Sequence, residues 1–140
     1  MVWSPYTVRD IDAVESVQGC FTKRLPGYNS LAFSEHLKCA NLLRLELRQL
    51  HFDLVWCYKI LFGHVDVKSE NFSEWAPHLS TRGHKYKLYK KSSSVSVRDH
   101  FFSERIVNVW NSLPDEVDFR TVKTFTPTIK CVPFNDFISF

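Results

Sequence analysis

The side chains able to do chemistry in this chain are few and dispersed. Asp115, Glu116 and Asp118 form the one acidic cluster, directly behind Pro114. Two-metal phosphoryl transfer requires carboxylates that converge on Mg²⁺, and three acids in a post-proline segment read as a solvated turn. The six histidines are scattered, with His36 and His51 in helical segments and His84 in a basic one. Cys20, Cys39, Cys57 and Cys131 include no C-x-x-C pair, so no closed zinc site is expected. The first three fall in apolar helical segments, which predicts buried free thiols. There is no Gly-rich phosphate loop, no G-x-S-x-G and no H-E-x-x-H. No catalytic residue, metal or cofactor is therefore expected.

Charge is more informative than chemistry. From Trp75 to Arg98 there is no Asp or Glu, while Arg82, Lys85, Lys87, Lys90, Lys91 and Arg98 give +6. The remaining 12 basic residues face 15 acids, so the rest of the chain is slightly acidic. Inside this window Arg82, His84, Lys85, Lys87, Lys90 and Lys91 interleave with Tyr86 and Tyr89. Cations of this density neutralise phosphates without reading bases, and tyrosine rings stack on unpaired bases. The alternative is a solvated positive loop. RNA or DNA is the partner that this stretch suggests.

The elements that must position it are helical. Val8, Ile11, Val14, Gln18, Phe21 and Leu25 recur at three- and four-residue steps, predicting a helix over 7–25 with that face inward. Thr7 and Asp10 mark its start, and Pro26-Gly27 its end. Ser34 is a candidate cap for a short second helix that breaks near Ala40-Asn41. Leu43, Leu47, Leu50, Leu54, Cys57 and Leu61 line a long helix over 43–62, stopped by Gly63. Residues 64–77 read as a loop anchored by Phe72 and Trp75. Tyr86, Leu88 and Lys90 alternate as in a short strand. Phe102, Ile106, Val109, Trp110 and Leu113 share a face of a helix over 98–112, which ends at Leu113-Pro114. Thr121 starts a last helix, and Pro127 should block its continuation.

Size and composition agree with a folded chain. The 140 residues are 44% hydrophobic and 15% aromatic, enough for a core and too apolar for a disordered tail. No run approaches the roughly 18 to 20 apolar residues that a membrane helix needs. The start, MVWSPYTVRD, lacks the basic-then-apolar pattern of a secretory signal. An intracellular protein without a membrane partner is expected, with nucleus and cytoplasm left open.

Several motifs then fall into a known order. Phe101-Phe102, Arg105, Trp110-Asn111 and Leu113-Pro114 resemble a segment near the C-terminus of jockey-like non-LTR retrotransposon (LINE-type) reverse transcriptases. Upstream, Asp10-Ile11, Glu15, Gln18 and Phe21-Thr22-Lys23 are similar to that family's "kDI–lE–vQ–FtK" helix. Glu35-His36-Leu37 resembles its E-R-L, with His36 in place of the arginine. Asp53-Leu54, Tyr58-Lys59-Ile60-Leu61 and Gly63 resemble its "DL–yKil–G" helix. Thr81-Arg82-Gly83-His84 resembles its T-R-G-H/N ahead of the basic stretch. Gly19 departs from the pattern, residues 44–51 blur it, and the family's terminal amphipathic helix is not continued past Phe125.

The resemblance implies a parent enzyme that copies RNA into DNA. That family's polymerase aspartates lie in a Y/F-A-D-D motif, which this chain does not contain, so no catalytic residue carries over. What it implies is a post-polymerase helical region over 1–125, with 126–140 a divergent apolar tail outside the family frame. The expected fold is mainly α: an incomplete, irregular domain of four to five helices with a basic loop or short strand between them. The expected function is noncatalytic, supporting the polymerase or contacting nucleic acid, with the rest of the reverse transcriptase as partner. The alternative is a stand-alone helical module that binds nucleic acid or protein. Exposed apolar patches are expected on the leucine face of 43–62 and in the aromatic end.

Overall fold

The structure, a computed structural model, describes residues 7–68, 72–77, 83–90 and 101–138. The chain is mainly α. Its helices among the described residues are α1 (Val8–Lys23), α2 (Phe33–Cys39), α3 (Leu45–Leu61), α4 (Phe102–Ser112) and α5 (Val122–Lys130), followed by a 3₁₀ turn, Asn135–Phe137. The only β pairing among the described residues is one antiparallel bridge between Trp75 and Leu88. No helix among them is long and apolar enough to cross a membrane. The described residues form two compact units, 7–50 with Ile138, and 51–137; the division falls inside α3.

Helix ends follow the local chemistry. Thr7 caps α1, its hydroxyl accepting from the Asp10 amide at 3.2 Å. The Glu35 carboxylate accepts from the Ala32 amide at 3.0 Å, so α2 begins at Phe33 rather than behind Ser34. Asn41, at φ 51°, turns the chain out of α2. Gly63, at φ 70°, closes α3 in a Schellman turn, with His64 donating to the Lys59 carbonyl at 2.8 Å. Leu113 is extended ahead of Pro114, which ends α4. Phe101 is already extended at the front of α4, so that helix starts later than its periodicity suggests; residues 98–100 lie outside the described set.

The unit 7–50 corrects the expected face of α1. Val8 and Phe21 are exposed, at 58% and 66%, whereas Ile11, Glu15 and Thr22 are buried. The inward face is rotated, and polar bonds account for the rotation. The Thr22 hydroxyl lies 3.3 Å from His36 Nδ1, whose Nε2 is 2.6 Å from the Tyr28 carbonyl. Glu15 accepts from the Glu46 amide at 3.2 Å. An apolar face at those positions would leave these groups unpaired.

The unit 51–137 holds most of the core. Leu54, Cys57, Tyr58 and Leu61 of α3 are buried, as are Ile106, Val107, Val109 and Trp110 of α4. Tyr58 donates its hydroxyl to the Phe119 carbonyl at 2.8 Å, and its ring lies 4.7 Å from that of Phe125. Two expectations are corrected. Helix α5 runs through Pro127 to Lys130. Lys123 and Pro127 are both exposed, so the carbonyl that loses its partner is on the solvent side, and the fully buried Phe125 and Ile129, one turn apart, hold the helix. Behind Phe125, Ile129 and Phe134 are buried in this unit, Phe134 edge-on to His51 at 5.6 Å. Of the cysteines only Cys57 is buried; Cys20 and Cys39 are exposed because they fall on the outer sides of α1 and α2. The apolar side chains left exposed on α3 include Phe52 and Trp56, which sit off its leucine face.

Candidate nucleic-acid interface

The basic segment is held along α4 through its backbone. Leu88 uses both main-chain groups on one side chain: its amide donates to Asn111 Oδ1 at 2.8 Å, and its carbonyl accepts from Asn111 Nδ2 at 2.9 Å. Asn111 thereby replaces a β-strand neighbour. The opposite edge is paired with the loop before it, where Ala76 donates to the Lys87 carbonyl at 2.9 Å and Tyr89 to the Glu74 carbonyl at 2.7 Å. The indole N–H of Trp110, itself fully buried, donates to the Tyr86 carbonyl at 2.6 Å.

His84 locks the same cradle. The Tyr86 amide donates to its Nδ1 at 3.2 Å, so that nitrogen is unprotonated and Nε2 carries the hydrogen given to the Trp110 carbonyl at 2.8 Å. The ring stacks on Phe119 at 4.8 Å. Burial pushes its pKa below the ordinary value, partly offset by the Trp110 carbonyl. Lys87 is also turned inward, its ammonium donating to the Asn111 carbonyl, and burial lowers its pKa. Gly83 makes room for it. At φ 93°, a Cβ there would meet Lys87 Nζ at 2.9 Å.

The candidate residues therefore divide. His84 and Lys87 are buried and bonded to α4. Lys85, Tyr89 and Lys90 are exposed, and Tyr86 is half-buried with the Lys85 ammonium 5.2 Å above its ring. Arg82 and Lys91 lie outside the described residues. Of the signature residues on α4, Trp110 and Leu113 are buried, while Asn111 and Pro114 are half-buried. Phe101 is exposed, and Phe102 packs against Phe72 at 5.3 Å. Arg105 reaches Asp53 of α3 at 2.6 Å. Burial raises the Asp53 pKa, and the Arg105 hydrogen bond opposes that rise. Sequence reasoning missed the parts played by Gly83 and Phe119; a glycine directly before a histidine in the T-R-G-H motif was the available signal for the first.

Beside this segment lies an open cleft of about 590 Å³, lined by Lys85, Tyr86, Asp115, Glu116 and Arg120 among others. Asp118, which also lines it, is forked onto Arg120 at 2.6 and 3.0 Å, and this pairing holds its carboxyl at about 2. A phosphate entering the cleft would meet three carboxylates for two cations. Among the described residues no three His, Cys, Asp or Glu side chains are grouped to hold a metal ion. Comparisons with protein-family models, curated proteins and solved structures found no match.

Proposed function

We propose that this chain is a noncatalytic helical element of the region that follows the polymerase in a jockey-like non-LTR retrotransposon reverse transcriptase, and that it contacts the nucleic-acid backbone through the open side of 83–90. One observation supports this reading best: motifs far apart in the chain that resemble the family meet in space. Asp53 pairs with Arg105, and His84, of the T-R-G-H motif, bonds to Trp110, of the W-N-x-L-P motif. Motifs of one structural unit should touch in this way. The cradle fixes the backbone of the basic segment in advance, so that binding loses little further entropy in ordering it.

The test is a titration of fluorescent RNA and DNA with the purified chain across salt concentrations. Affinity should fall steeply with salt, and neutralising Lys85 and Lys90 together should flatten the slope by about 0.7 to 0.9 for each phosphate no longer neutralised. Absence of binding at low salt rejects the reading. Given a primed RNA template and nucleotides, the chain should extend nothing; extension would overturn its noncatalytic part. A second reading, a protein-interaction module, is favoured by Val17 and Phe21, one turn apart on α1 and 68% and 66% exposed. If a partner protein docks there, replacing both with serine abolishes its capture and leaves the salt slope of nucleic-acid binding unchanged.

A further inference from the structure

The register of the 75–88 bridge sorts the aromatic side chains around the basic segment. The two bridge hydrogen bonds run from residues flanking Trp75 and Leu88, so these two form a non-hydrogen-bonded antiparallel pair with side chains on one face. Alternation along the extended chain brings Tyr86 and Lys90 to that same face and sends Tyr89 to the other. The Trp75 and Tyr86 rings, 6.2 Å apart, agree with this. Phe62 stands edge-on to both, at 6.2 and 5.2 Å. These neighbours hold the Trp75 ring, yet 45% of the residue remains exposed.

Other exposed rings differ in the face they take or in what covers them: Tyr89, 48% exposed, falls on the opposite face. Tyr86 carries the Lys85 ammonium over its face. Trp56 is 43% exposed, but the Lys59 ammonium lies 5.2 Å over its ring. No such cation is found over Trp75 among the described residues. A positioned indole with a lysine on the same face offers two interactions of different kind: a flat π-surface and a cation. Duplex nucleic acid presents phosphates but keeps its bases stacked on one another, so it would use only the second. A single strand uses both.

We infer that Trp75 is a stacking site for an unpaired base and that Lys90 neutralises a neighbouring phosphate, which makes single-stranded nucleic acid the ligand of this face. The site rests on the nucleic-acid reading above and narrows it. α4 takes Lys87 and His84 inward for structure; on the bridge face Leu88 is buried, and the exposed parts of Trp75 and Lys90 are what that face offers a ligand.

The experiment measures binding of the full chain to oligothymidylate and to a duplex of equal length, at fixed low salt. Trp75→Leu keeps apolar volume and removes the flat ring. It should weaken single-strand binding about tenfold and leave duplex binding and the salt slope unchanged. Trp75→Phe should retain most of the affinity, and Trp56→Leu all of it. Should Trp75→Leu disturb the fold, an independent readout remains: oligothymidylate should quench the part of the tryptophan emission that Trp75→Phe removes. If Trp75→Leu binds single strands as tightly as the parent while the Lys85 and Lys90 variants do not, stacking at Trp75 is excluded and backbone contact stands. If the parent chain binds neither nucleic acid, both readings fall together. Equal affinity for duplex and single strand would also overturn the site.

Discussion

The units 7–50 and 51–137 are built from similar helices and reach burial by different routes. Among the described residues, only Ile11 and Leu37 are buried apolar residues in the first, against sixteen in the second. In 7–50 the inward positions are filled by Glu15, Thr22 and His36, joined by hydrogen bonds, while Val8, Val17 and Phe21 face out. In 51–137 the rings of Tyr58, Trp110, Phe119 and Phe125 pack on one another at 4.7 to 5.7 Å. Neutral hydrogen bonds exchanged against water contribute about 1 kcal/mol each, whereas a buried aromatic contributes several. The aromatic unit should therefore carry most of the stability, and the polar one should open more readily.

The strongest way to break this contrast is Trp110→Ala. It removes a fully buried ring and the donor to Tyr86, and should cost about 3 to 5 kcal/mol, seen as loss of cooperative urea unfolding for 51–137. An equally stable variant would show that the aromatic cluster is not the main support. Next comes Asn111→Leu, which strands the Leu88 amide and carbonyl. A loss of about 1 to 3 kcal/mol is expected, with amide exchange accelerated over 86–89. Gly83→Ala should cost about as much, from its positive φ together with the close approach to Lys87. Replacing Lys87 by methionine in the same chain should recover part of the loss in a thermal melt.

Acid sharpens the comparison further. His84 and His51, both in 51–137, have pKa values pushed below the ordinary 6.5 by burial. The unfolded chain therefore takes up protons before the folded one does. Their contribution is fully present above pH 6.5 and is lost as the pH falls through 6.5 toward the lower folded values, at no more than about 1.4 kcal/mol per pH unit for each histidine. For His84 the geometry gives the reason: a proton on Nδ1 would face the Tyr86 amide, donor against donor. His84→Gln should flatten the acid limb of a stability–pH curve. The smallest effect is expected from Thr22→Val, about 1 kcal/mol or less, confined to exchange in α2. A global loss there would mean that the polar unit supports the whole chain.

Much of this fold is legible along the chain, and the misreadings share a cause. Helix stops at Pro26-Gly27, Gly63 and Leu113-Pro114 depend on neighbours in sequence, and they lie where expected. Periodicity misreads the face of α1 because it counts Phe21 as inward, whereas His36, fourteen residues away from Thr22, supplies that hydroxyl with a partner. Pro127 reads as a stop because its local cost is real, but Phe125 and Ile129 offset it by packing outside the helix. The candidate interface is visible as a charge window and no further. Charge density cannot distinguish Lys87, which turns in to a carbonyl 24 residues away, from Lys85 or Lys90, which stay in water.

Read along the chain, the residues settle where helices begin and end and that a positive segment lies between two of them. Those properties are short-range, set by backbone dihedrals, caps and local charge. The tertiary structure settled which side of α1 is inside, which cations remain available to a partner, and that Trp75 pairs with Leu88 across the bridge. Those outcomes depend on which distant groups satisfy each buried amide, carbonyl and ring, and residues far apart in sequence settle that jointly.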